Sequence, residues 1–131
     1  MTDQSVSLVG KCVLVVEDDT FLRDLVSQKL QHEQVVLLQA GSGEEALEIL
    51  KRAQKPEIIL LDLVLPGISG FDTLAKIKAD ESLKDIPVII LSNLGQEKDL
   101  AEAKRLGSAG FMVKVNFSPS EIVTEIRRIL G

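Results

Sequence analysis

Apolar residues fall along this chain in two distinct rhythms. Four short runs are almost continuously apolar: CVLVV (12 to 16), QVVLL (34 to 38), EIILLD (57 to 62) and PVIILS (87 to 92), with a weaker fifth, GFMVKV (110 to 115). Unbroken apolar runs of this length predict strands whose two faces are both covered. Between them, apolar residues recur three and four positions apart. Leu22, Leu25, Val26 and Leu30 form one stripe; Ala46, Leu47, Leu50 and Ala53 a second; Ile122, Ile126, Ile129 and Leu130 another. That spacing predicts helices with one buried face.

Two helix starts are marked by their residues. Ser42 and Glu45 fit a capping box, and Ser118 and Glu121 fit a second one with Pro119 at the first helical position, where a missing N–H costs nothing. Helices are also expected over about 70 to 79 and 97 to 106; the latter offers mainly Leu100, Ala103 and Leu106 before Gly107 ends it. Five strand–helix pairs in strict alternation, with short loops and no repeats, predict an α/β, doubly wound five-stranded parallel sheet. In such a sheet chemistry gathers at the carboxyl ends of the strands.

Those ends are polar in every run but the second. The first is followed by Glu17, Asp18 and Asp19, the third ends in Asp62, the fourth in Ser92, and the fifth holds Lys114. Taken singly, an acidic triplet is usually a solvated loop, a serine an ordinary strand end and a lysine a surface residue. The parallel fold forces all of them onto one rim. Carboxylates held there ~5 Å apart would repel by about 3 kcal/mol per pair at an effective dielectric of 20, so the cluster invites a cation. Oxygen ligands with room for water suit Mg²⁺ and a phosphate-bearing partner. Asp62, flanked by Leu61 and Leu63, is the natural nucleophile for a phosphoryl group, with Lys114 as a point charge and the Ser92 hydroxyl as a hydrogen-bond donor to the product.

Bulk properties narrow the field. The 131 residues suit one domain, and 45% hydrophobic with 27% charged residues is ordinary for a globular chain. Four Phe with no Trp or Tyr, and a net charge of −5 without a basic cluster, argue against direct nucleic-acid binding. The single Cys12 reads as a core residue in a reducing compartment. The N-terminus lacks a basic flank and a long apolar stretch, and no run approaches the ~18 residues of a membrane span, so no membrane association and a cytoplasmic location are expected.

The motifs LVVEDD, LLDLVLPGISG, VIILS and GFMVK, in this order and spacing, resemble the receiver domain of bacterial two-component response regulators, the family of the chemotaxis response regulator. The resemblance covers about residues 11 to 130, leaving 1–10 as an N-terminal extension and 11–131 as the receiver domain. It implies a flavodoxin-like (βα)5 fold with strand order 2-1-3-4-5. It further implies that Asp62 accepts phosphate from a histidine kinase or phosphotransfer protein, and that Glu17, Asp18, Asp62 and the backbone carbonyl of Val64 hold Mg²⁺, for which Mn²⁺ can substitute. Ser92 and Lys114 would contact the phosphoryl group, and Phe111 falls at the switch aromatic, though ordinary core packing explains it equally well. By the same resemblance the chain is no enzyme toward other substrates: it is a phosphoacceptor that catalyses its own phosphorylation and slow dephosphorylation. Phosphorylation would act on a downstream protein through the face of helix 4, strand 5 and helix 5. Little apolar area holds the fourth helix, so it is cheap to shift.

Several residues depart from the family pattern. Val115 stands where the family has proline after its lysine in a cis peptide; a trans bond, a reshaped loop and a less tightly aimed Lys114 are expected. Asn93 narrows the approach to Asp62, and the apolar Val64 and Leu94 predict a long-lived phosphoform. The competing reading is a degenerate receiver that acts as a non-phosphorylated docking module. A haloacid dehalogenase-type phosphatase would need a second aspartate where Val64 stands, and a nucleotide binder a glycine-rich turn where Glu17, Asp18 and Asp19 would repel pyrophosphate. With one residue after Leu130, either a stand-alone receiver or a piece of a longer protein is expected.

Overall fold

The computed structural model describes residues 6–52, 54–93 and 95–131; Ala53 of the second stripe, Leu94, and residues 1–5 of the expected extension lie outside the described residues. The elements alternate without exception: β1 (Cys12–Val16), α1 (Thr20–His32), β2 (Val36–Ala40), α2 (Gly43–Leu50), β3 (Ile58–Leu61), α3 (Gly70–Ala79), β4 (Val88–Ser92), α4 (Glu97–Arg105), β5 (Gly110–Val113) and α5 (Pro119–Leu130). All strands run parallel in the order β2-β1-β3-β4-β5, as the resemblance implied. Register places Val16 beside both Ala40 and Leu61, Leu61 beside Ile90, and Ser92 beside Val113, so the carboxyl ends form one rim.

Side chains alternate between two cores. Leu14, Val16, Ile59, Leu61, Val88 and Ile90 face α2, α3 and α4, where they meet Ala46, Leu50, Leu74, Ile77 and Ala103. Val13, Val15, Ile58, Leu60, Ile89, Leu91 and Met112 face α1 and α5, where Val26, Leu30, Ile122, Val123 and Ile126 close the second core. Every residue of β1, β3 and β4 is buried, which accounts for their unbroken apolar runs.

The second strand begins two residues later than its apolar run. Gln34 sits at φ 63°, in the left-handed region, and its N–H reaches back to the Gln31 carbonyl at the end of α1. The residue serves the helix terminus and cannot also start a strand. An L-residue in that conformation costs about 1 kcal/mol, so Gln34→Gly is expected to raise stability by about 0.5–1 kcal/mol, read as a higher urea midpoint at unchanged slope.

Two stripe residues are not buried as the periodicity predicts: Leu25 is 40% exposed and Leu100 41%. On α4 the only buried residue among those described is Ala103, and its N-cap Gln96 makes no side-chain cap bond, consistent with a weakly held helix. The α5 start carries the full capping box between Ser118 and Glu121, with Pro119 at the first position. At α2 the box is half formed. Ser42 Oγ accepts from the Glu45 N–H, but the Glu45 carboxylate takes the Gly41 N–H at 2.6 Å, one residue before the cap.

Candidate functional site

Where β1 stops, the Glu17 N–H donates to the Ala40 carbonyl at 3.0 Å, which keeps the backbone tied to the sheet while the side chain turns over the rim. The Asp62 N–H likewise donates to the Val16 carbonyl at 3.1 Å. Both carboxylates are sheltered, Glu17 being 4% and Asp62 5% exposed, whereas Asp18 faces solvent. Carboxylate oxygens of Glu17, Asp18 and Asp62 all lie within 4.8 Å of one another, the spacing at which repulsion calls for a cation. Asp19, the third acid of the triplet, is withdrawn from the cluster: its Oδ1 accepts the Leu22 N–H as the N-cap of α1.

Lys114 closes the cluster from the β5 side. Its Nζ donates to Asp62 Oδ2 at 2.9 Å and lies 2.5 Å from Glu17 Oε1, with its side chain 11% exposed. The expected loosening of Lys114 is therefore overturned. β5 ends at Val113, earlier than its apolar run, and Lys114 opens a 3-10 turn, Lys114–Asn116, that leaves its side chain over the rim. Register between β4 and β5 positions the lysine, and two buried carboxylates hold it; the residue that follows is not needed. No cis peptide occurs among the described residues, so Lys114–Val115 is trans as expected, and Val115 projects into solvent.

The charges do not balance. Burial pushes the Glu17 carboxyl above its ordinary value, and the neighbouring Asp62 adds to this, although hydrogen bonds from Lys114 and the Asp19 N–H pull the other way. For Lys114, burial alone would lower the ammonium, but its hydrogen bonds to Glu17 and Asp62 outweigh this and leave it raised, hence protonated at neutral pH. One lysine shared by two buried acids, with a third acid beside them, leaves net negative charge at the rim. Such an all-oxygen set fits a divalent cation.

Ser92 ends β4, fully buried. Val64 is 60% exposed; its N–H donates to Asp62 Oδ1 at 3.3 Å, so only its backbone addresses the cluster. Phe111 is half-buried on β5 and packs against the core that faces α2, α3 and α4. The structure thus brings Glu17, Asp18, Asp62 and Lys114 into contact distance, with Ser92 at the neighbouring strand end.

Four further residues frame the site; Gly67 and Gly70 fall in the motif LLDLVLPGISG, whereas Arg23 and Glu44 have no signature in the sequence. Arg23 of α1 donates through Nη1 to the Glu17 carbonyl at 3.3 Å, pinning the turn that carries the acids. Glu44 of α2 accepts the Ile68 N–H at 3.1 Å, and Gly67 beside that carboxylate sits at φ 74°, a left-handed conformation that favours glycine. Gly70 opens α3 directly against the backbone of Asp62 and Leu63; a Cβ there would come within 2.5 Å of Leu63 Cα. That helix can approach the end of β3 only because the position is glycine.

Comparison with known proteins agrees with this geometry. Residues 13–127 match the family model described as the response regulator receiver domain. The chain is 32% identical over 123 residues to the phosphate regulon transcriptional regulatory protein PhoB of Pseudomonas aeruginosa, covering 94% of this chain and 53% of that protein. It is 32% identical over 118 residues to the DNA-binding dual master transcriptional regulator RpaA of Synechocystis, covering 90% and 48%. The chain therefore spans about half the length of these relatives. Among solved structures it resembles the phosphorylated cyanobacterial phytochrome response regulator RcpA, with TM-score 0.79, 28% identity and coverage of 93% and 91% of the two chains. The Mn²⁺-bound response regulator Rcp1 gives 0.77, 28%, 90% and 89%. Chemotaxis response regulator CheY4 of Vibrio cholerae gives 0.85, 26%, 92% and 99%. With its sheet order, its acidic rim and a family match over most of its length, the chain belongs to the receiver domains of two-component response regulators.

Proposed function

We propose that Asp62 is the phosphoacceptor of this receiver and that residues 11–131 form the unit that carries the reaction. The observation that carries the reading is the position of its carboxylate: sheltered, held by Lys114 Nζ at 2.9 Å, and within 4.8 Å of acidic oxygens from Glu17 and Asp18. Glu17, Asp18, Asp62 and the Val64 carbonyl would hold Mg²⁺ or Mn²⁺. Bound there, the cation neutralises charge on the transferring phosphoryl oxygens.

Lys114 Nζ and the Val64 N–H each hold one Asp62 oxygen, and the attack needs no separate base because a carboxylate has no proton to lose. The phosphorus–nitrogen bond of a phosphohistidine on a kinase or phosphotransfer protein breaks as a phosphorus–oxygen bond to Asp62 forms, and the released imidazole takes a proton from water. Lys114 then follows the new dianion, and Ser92, next to it on the rim, donates its hydroxyl. Phe111 and the weakly held α4 adjoin that end of the sheet, which makes α4, β5 and α5 the proposed output face toward a downstream protein. No described helix is long and apolar enough to cross a membrane, in keeping with the proposed cytoplasmic site of action.

Incubation with Mg²⁺ and acetyl phosphate or phosphoramidate should give one phosphoryl adduct by intact mass, absent when EDTA is added. If neither donor nor a phosphohistidine protein yields an adduct, the chain is a docking module that works unphosphorylated. The apolar, exposed Val64 offers an attacking water no polar guide, so Val64→Asn is expected to speed loss of the adduct several-fold, followed by its decay in intact-mass time courses. An unchanged decay rate would remove Val64 as a determinant of lifetime.

A further inference from the structure

β2 ends the sheet, and only one of its edges is used. The Val36 N–H donates to the Lys11 carbonyl at 2.8 Å and the Ala40 carbonyl accepts from the Glu17 N–H at 3.0 Å, both toward β1. By the alternation of a strand, Leu37 and Gln39 turn their N–H and C=O groups outward. Exposed edges are normally blunted by lysine, proline, a bulge or a covering segment. None of these protects β2 among the described residues: from Gln34 to Gly43 the sequence QVVLLQAGSG has no charged residue and no proline. An open groove of about 500 Å³ runs along this edge, lined by Gln31 of α1, Leu37, Leu38 and Gln39 of β2, and Ile49 and Arg52 at α2.

We infer that β2 is a pairing edge for a second copy of this chain, the two β2 strands running antiparallel about a two-fold axis at Leu38. In that register Leu37 of each copy faces Gln39 of the other and exchanges both backbone bonds, while the two Leu38 side chains meet on the axis. Because the strand carries no charge, no like charges oppose each other there.

Charge on the adjoining helix selects the copy over an unrelated strand. α2 has Glu44 and Glu45 in its first turn, and Lys51 and Arg52 follow its last. The two-fold sets the two α2 helices antiparallel, so the acidic end of each lies toward the basic end of the other and their dipoles oppose. A parallel arrangement would bring like charges together. With strands of only five residues the association is weak and concentration-dependent.

Sedimentation of the full chain over a concentration series is expected to show a reversible rise from monomer toward dimer mass. Leu38→Lys places two ammonium groups on the axis and should weaken dimerisation at least ~tenfold. Leu38→Cys provides a readout that survives if the lysine variant folds poorly. Directly opposed residues of a non-hydrogen-bonded pair lie about 4.5 Å apart at Cα, within disulfide reach. Under mild oxidant it should cross-link far faster than Leu100→Cys, an exposed position on α4 at the other end of the sheet; Cys12 is buried in β1 and stays a bystander. A chain that stays monomeric throughout, a dimer indifferent to Leu38→Lys, or equal cross-linking of the two cysteine variants would each overturn the inference. The last two would assign association to another surface, and the first would leave the edge to a different strand.

Discussion

An Asp62→Asn variant is expected to carry no phosphoryl adduct under conditions in which the parent chain carries one, and to keep its fold. The amide has the same shape but lacks the anionic oxygen that the proposed attack on phosphorus requires. Its one carbonyl oxygen can accept the Val64 N–H while Lys114 keeps Glu17, so a single bond is lost and neither donor is orphaned. Glu17 loses a repulsive neighbour and retains the lysine. Stability in chelator should therefore stay within about 1 kcal/mol of the parent. The stabilisation that added Mg²⁺ gives the parent should shrink, because one of three clustered carboxylates is gone. Intact mass and urea unfolding with and without Mg²⁺ check the two halves separately. An adduct that persists in the variant would move the acceptor elsewhere; a variant that unfolds would mean that the Asp62 charge is structural.

Lys114→Met is expected to act in the opposite sense on stability. Methionine keeps most of the apolar stem and removes the one cation between two buried acids, which costs about 3 kcal/mol in chelator near neutral pH. The pH dependence follows from the direction of the shifts. Glu17 is already raised above its ordinary value in the parent, and losing the ammonium, whose hydrogen bond pulls it down, raises its folded-state value further. Between the unfolded and the folded value of Glu17 the folded chain then holds more protons, so stability falls as pH rises through that window and returns as pH drops. The deficit should thus be smaller at about pH 5 than at about pH 7, and Mg²⁺ should restore part of it by supplying the missing charge. Equal destabilisation at both pH values and with the metal would show that the lysine matters for packing alone.

Much of this architecture was legible because parallel sheets leave a plain record. Strands covered on both faces must be apolar throughout, and β1, β3 and β4 emerged within a residue or two of their runs. β2 slipped because Gln34 adopts a left-handed conformation that glycine usually announces. Leu25 and Leu100 fit the helical period yet stay partly in solvent, Leu25 at the margin of α5 beside Phe117 and Pro119, and periodicity counts apolar residues without knowing how wide the covering surface is. At the rim, topology alone brought Glu17, Asp18 and Asp62 together. Val115, the residue after Lys114, carries no sign of that lysine's firm placement, because the β4–β5 register and two distant carboxylates decide where the ammonium goes. Arg23 and Glu44 act through backbone groups outside their own helices, and a string of residue types carries no trace of such contacts.

The sheet order also grades the molecule from firm to soft. β1 and β3 have partners on both sides and every residue buried, so their amides should exchange with deuterium only through global unfolding. At the far end β5 is a short edge strand, and α4 beside it, with one buried residue among those described, can open on its own. The acids of the rim are thus anchored in what should be the slowest-exchanging part of the chain, while the lysine that meets them follows an edge strand. A change of charge at Asp62 meets a stiff support on one side and a compliant one on the other, which sets the direction in which it can be transmitted.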